Sequence, residues 1–164
     1  MYQELTPQQA VNWAIQARHD AWAFYCRAAD LADDVEGQRV FAHLAARERE
    51  LAQGFFALCA GPDHAFDAYF DALPTEESAV VHALRQRLTA GMGAQRALEV
   101  ALEELSAMLQ SQQQAAERII DPAARAYVDR MIADTATLYQ GVEAEYARRM
   151  GMVAASDMDT FVRE

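Results

Sequence analysis

Four long runs of this chain repeat apolar residues at steps of three and four, and that period constrains the fold more than any other feature of the sequence. In the clearest run, FAHLAARERELAQGFF, the ladder is Phe41, Leu44, Leu51, Phe55 and then Leu58, and the missing rung is Glu48. Earlier, Val11, Ile15, Arg18, Trp22, Tyr25 and Ala29 mark one helical face. A start signal precedes it: Thr6 as N-cap, Pro7 at the first helical position and Gln9 at the third. Later, Leu98, Leu102, Leu105, Leu109 and Gln112 share a face. Val128, Met131, Thr135, Leu138 and Val142 share another, introduced by Asp121-Pro122. Only seven Gly and four Pro interrupt these periods in 164 residues, so the chain reads as all-α.

The expected helices run over about 7–31, 38–59, 94–119 and 122–150. The first two are joined by the acidic turn at 32–37 and the last two by a still tighter link, so each pair must be antiparallel neighbours. Residues 60–93 are the least periodic part. They are expected to hold one short helix from about Glu76 to Leu88 and to break at Gly91 and Gly93. This stretch reads as a crossover rather than a domain boundary, which makes residues 1–150 one bundle and 151–164 a tail. Two antiparallel hairpins joined by a long crossover have the connectivity of a ferritin-like four-helix bundle. The two halves also form a faint internal repeat of helix, tight turn and helix.

The apolar share, 52%, suits one domain with a substantial core. A formal net charge of −11 argues against nucleic acid and anionic membrane surfaces as partners. No run approaches the roughly 18 apolar residues of a membrane span, and MYQELTPQQ lacks the segments of a signal peptide, so a cytoplasmic location is expected. Cys26 and Cys59 make neither a disulfide framework nor a CxxC site. No phosphate-binding glycine loop, nucleophile elbow or pair of acids at hydrolytic spacing occurs.

The chemistry concentrates at two charges that interrupt apolar stripes. Counted from the first turn, Arg18 lies about sixteen residues along one helix and Glu48 about fourteen along the next, which at roughly 1.5 Å per residue puts them at one level. A cation and an anion, each alone in its stripe on adjacent antiparallel helices, are expected to form a charge-assisted pair inside the bundle. Tyr25 and Thr135 are the candidates to surround it.

The stretch AIQARHDAWAFYCRAADLADDVEGQRVFAHLAARERELAQGFF resembles the first helical hairpin of rubrerythrin-like di-iron proteins of the ferritin superfamily. The resemblance rests on Phe24-Tyr25, Ala28-Ala29, the Asp-Asp turn, Phe41, Leu44-Ala45 and Glu48. It implies a Glu seven residues before the Tyr, a Glu-x-x-His on the second helix and a second such set on the last two helices, together holding two irons for peroxide reduction or iron oxidation. Here Arg18 takes the first Glu position, Glu48 keeps its acid, and Leu51 replaces the His. Leu105, Thr135 and Leu138 occupy the corresponding places in the second hairpin. One ligand position of six is kept, which is too few for iron. Glu99, Glu103, Glu104 and Asp134 flank the inward stripe. His19, His43, His64 and His82 lack carboxylate partners at ligand spacing and read as surface or boundary residues.

Two readings result. In the first, the chain is a non-catalytic bundle with a degenerate di-iron site. Its Arg18–Glu48 centre is structural or binds a small molecule or partner, and no cofactor is expected. In the second, it is an iron-binding oxidoreductase of rubrerythrin type that keeps metal through Glu48 and non-standard donors. A homodimer is compatible with either. A helical adaptor role would rest on Trp13, Phe66, Tyr69 and Phe70 as surface aromatics.

Overall fold

The computed structural model describes residues 4–59, 65–88, 91 and 93–151. Among these it contains six helices and no β-strand. Helix α1 (Pro7–Leu31) starts in a capping box: Thr6 Oγ1 accepts from the Gln9 amide at 3.2 Å, and Gln9 Oε1 accepts from the Thr6 amide at 2.9 Å. Helix α2 (Val35–Cys59) starts earlier than its apolar period suggests. Asp34 Oδ1 accepts from the amides of Glu36 and Gly37 at 2.9 and 3.0 Å and so satisfies first-turn donors. Helices α3 (Phe66–Asp71) and α4 (Glu77–Arg87) form the crossover. Helix α5 spans Ala94–Ala116, three residues short of its expected end, and α6 spans Pro122–Arg149 behind an Asp121 cap that accepts from the Ala124 amide at 2.8 Å. The expected tail from 152 onward and His64 lie outside the described residues.

Helix α1 packs against α2 and α6, and α5 packs against α6 and α2. Short links make α1/α2 and α5/α6 antiparallel. The core falls into two apolar clusters. One joins the C-terminal half of α1 to the N-terminal halves of α2 and α5 and the C-terminal half of α6. The other joins the opposite ends. This pairing makes α6 parallel to α1 and α5 parallel to α2. The chain therefore runs up, down, down and up, and the link from α2 to α5 must travel the length of the helices.

That link differs from its expected form in containing two helices, not one. Phe66 and Phe70, expected as surface aromatics, are 2% and 0% exposed. The Phe70 ring lies 4.8 Å from His19 and 5.2 Å from Trp22, and Phe66 lies 5.5 Å from Phe56, so α3 caps the flank of the first hairpin with aromatic rings. His19, expected at a boundary, is accordingly buried. Desolvation pushes its imidazole below the ordinary histidine value, against the opposing charges of Asp20 and Asp71. Helix α4 buries Leu84, pairs Glu77 with Arg27 of α1 and extends Arg87 to Glu104 of α5 at 2.8 Å.

The α2 ladder also shifts. Leu51 is half-buried and Leu58 is 46% exposed, while Ala52 and Phe56 are buried. A strict seven-residue repeat such as 44, 51, 58 drifts around a straight helix by about 20° per heptad, so the buried rungs move on by one residue or so. Trp22 and Ala29 of α1 are likewise half-buried, with Ala21 and Ala28 taking the inner places. Leu102 and Leu109 of α5 are half-buried as well. No helix among the described residues is long and apolar enough to cross a membrane.

Because Phe70 is fully buried among His19, Trp22 and Phe66, Phe70→Ala is expected to destabilise by about 3–5 kcal/mol in urea unfolding. A loss under about 1 kcal/mol would mean that α3 does not anchor the crossover.

Candidate functional site: a buried polar layer

The two apolar clusters are separated by a single polar layer to which each long helix gives one side chain. Arg18 of α1, Glu48 of α2, Gln112 of α5 and Thr135 of α6 are at most 2% exposed. On every helix the polar residue falls where one cluster ends and the other begins: between Ile15 and Ala21, Ala45 and Ala52, Leu105 and Ala116, Met131 and Val142. The layer is thus a property of all four helices rather than of one pair.

Arg18 organises it. Its Nη1 donates to Glu48 Oε2 at 3.1 Å, and its Nη2 donates to the Met131 carbonyl at 2.8 Å and to Thr135 Oγ1 at 2.9 Å. The guanidinium therefore bridges α1 to α2 and to α6. Thr135 Oγ1 also lies 2.9 Å from Gln112 Oε1 and 2.9 Å from the Met131 carbonyl, and with one proton it can donate to only one of them at a time. Through Thr135 the network reaches α5. Four buried atoms in this region have no hydrogen-bond partner among the described residues: Arg18 Nε, Glu48 Oε1, Gln112 Nε2 and the Tyr25 hydroxyl.

Burial raises the Glu48 carboxyl above the ordinary carboxylate value. Arg18 opposes this by charge and by hydrogen bond, and Asp134 adds to it. Tyr25, 0% exposed, is pushed well up, first by burial and then by the negative charges of Glu48 and Glu104. Burial thus favours the protonated form of both groups.

The four residues singled out from sequence all lie in or beside this layer, Tyr25 as a wall of the apolar cluster above it. Gln112 was recognisable as an inward position, and its signal was the one that exposed Glu48, a polar residue in an apolar stripe. The Met131 carbonyl had no signal, because a backbone acceptor is invisible in side-chain pattern. Of the six positions that the resemblance maps onto a di-iron centre, Leu105 is buried, Leu51 and Leu138 are half-buried, and the Thr135 hydroxyl is taken by Arg18. A guanidinium and three leucines beside one carboxylate do not fit two irons, which need several carboxylate and imidazole donors. Among the described residues, no three His, Cys, Asp or Glu side chains come together in a group that could hold a metal ion. Glu99, Glu103 and Glu104 instead pair with Arg96 and Arg87 near the surface. His43 and His82 are exposed. In comparisons with known proteins, the chain matches no family model, no curated protein and no solved structure.

Removing Arg18 strands a buried anion, so Arg18→Ala is expected to cost about 3–5 kcal/mol in chemical denaturation. The double change Arg18→Met with Glu48→Leu should recover about half of that loss or more, since apolar replacement of a buried pair is often neutral. If the double variant is no better than Arg18→Ala, the pair is not the source of the loss. A second test follows from the raised Glu48 value. An acid that is harder to ionise folded than unfolded contributes most below its unfolded value and loses that contribution as pH rises through the folded one. The stability difference between wild type and Glu48→Gln should therefore fall as pH climbs above about 4.5; a rise over that range would show that Arg18 outweighs burial.

Proposed function

We propose that this chain is a ferritin-like four-helix bundle, akin to the rubrerythrins, in which a polar layer has replaced the di-iron centre and the role is non-catalytic. The observation that carries this reading is the placement of Arg18. Its position corresponds by resemblance to a metal-ligating Glu, and its guanidinium bonds at once to the retained acid Glu48 and to α6. The up-down-down-up path with a lengthwise crossover supports the bundle type. In this role the layer sets the relative height of the helices and holds a scaffold whose outer surfaces do the binding. The net charge of −11 supports a protein that avoids nucleic acid; a cytoplasmic location and a homodimer belong to the same reading.

The competing reading keeps iron and di-iron redox chemistry. It draws on Glu48, whose Oε1 has no hydrogen-bond partner among the described residues. It requires further donors from outside the layer, such as those of a second copy. Elemental analysis separates the two: protein expressed in iron- and manganese-supplemented medium and purified without chelators is expected to carry less than about a tenth of a metal per chain. One or two irons per chain, lost in Glu48→Gln, would overturn the proposal and restore peroxide reduction or iron oxidation as the function.

A further inference from the structure

A groove of about 570 Å³ lies between α2 and α6, on a side that the crossover helices do not line. Its walls are rows of residues spaced four apart: Arg39, His43 and Arg47 along α2, and Thr137, Gly141, Glu145 and Arg149 along α6. Its floor is apolar, made of Leu44, Leu98, Leu138 and Val142. The α6 wall rises through twelve residue steps from Thr137 to Arg149, about 18 Å. These are the dimensions of a small-molecule site, within the usual range of about 300–1,000 Å³, rather than of a protein interface.

Two independent features point to its occupant. The first is charge. Three arginines and two glutamates line the groove, and with Glu50 beside Arg47 the arginines and glutamates balance, in a chain of −11. Among the described residues, Arg39 pairs with Glu36 and Arg47 with Glu50, each on its own helix, with Arg39 72% and Arg47 46% exposed. Such exposed pairs are weak, so an incoming anion can share these cations at little cost. The second is Gly141. A glycine inside a helix costs about 0.5–1 kcal/mol relative to alanine. Here a Cβ would meet nothing within 4 Å and the backbone is ordinary helix, so neither packing nor conformation calls for glycine. The missing side chain widens the groove over its apolar floor and lets a ligand approach the α6 backbone.

We infer that this groove binds a long-chain carboxylate, with its alkyl chain laid over Leu138 and Val142 past Gly141 and its head on the Arg39–His43–Arg47 ridge. The floor supplies hydrophobic burial and the ridge supplies charge-assisted hydrogen bonds. A cation with the same tail would gain the first and lack the second. The inference is independent of the polar layer and holds whether or not the bundle once carried iron.

The test is calorimetric titration of the full chain with dodecanoate below its micellar range, with dodecyltrimethylammonium as the control. Dodecanoate should bind one per chain and at least tenfold more tightly than the cation. Gly141→Leu should weaken dodecanoate at least tenfold while leaving the thermal midpoint unchanged or higher, and Arg39→Gln with Arg47→Gln should weaken it similarly without affecting the cation. Equal binding of cation and anion, or undiminished binding in Gly141→Leu, would overturn the proposal. So would tenfold tighter binding in Phe161→Asp, which would identify the segment 152–164 as the natural occupant. A dimer in sedimentation that Gly141→Leu dissociates without dodecanoate would assign the groove to a second copy and overturn it equally.

Discussion

A guanidinium inside a helical bundle must find acceptors that the surrounding helices alone can offer, and Arg18 finds them on α2 and α6. Moving α6 by one residue would carry Thr135 by about 1.5 Å along the axis and 100° around it, out of reach of Arg18. The apolar clusters on either side are less demanding, because alanines, leucines and phenylalanines of similar volume tolerate repacking. The polar layer therefore contributes directionality where the rest of the core contributes mostly burial. That division makes the layer expensive in free energy and informative about register.

The same arrangement turns the polar groups of the centre inward. Glu48 is drawn towards Arg18 and desolvated, Tyr25 is held protonated by burial, and the Thr135 hydroxyl lies in a hydrogen-bond chain. Arg18, Glu48, Thr135 and Gln112 are linked to one another through these bonds.

The crossover introduces asymmetry into an otherwise regular set of helices. Its aromatic residues cover one flank of α1 and α2, with Arg49 held over the Phe70 ring at 4.7 Å and hydrogen-bonded to Asp67 and Asp71. Its helices do not line the α2–α6 side. There the two helices are bridged by long side chains, Arg130 against Phe55 towards one end and Arg149 near Glu36 at the other. The groove with its Arg39–His43–Arg47 ridge lies on that side.

The amino-acid sequence by itself determined what depends on neighbours a few residues apart. The Thr6 and Asp121 caps, the helix extents within about three residues and the stripe containing Arg18 and Glu48 are all consequences of hydrogen bonds and periodicity inside single segments. Even the common level of those two charges needed only the rise per residue and a short turn. Tertiary structure alone decided what depends on which distant segment arrives. Phe66, Phe70 and His19 carry no local sign of burial, and they are buried because the crossover folds back over α1. Gln112 joins the layer because α6 brings Thr135 to it, and the Met131 carbonyl joins because it faces a charge 113 residues away in the chain. Periodicity tells a side chain which way to point, and only packing between remote helices determines what it meets.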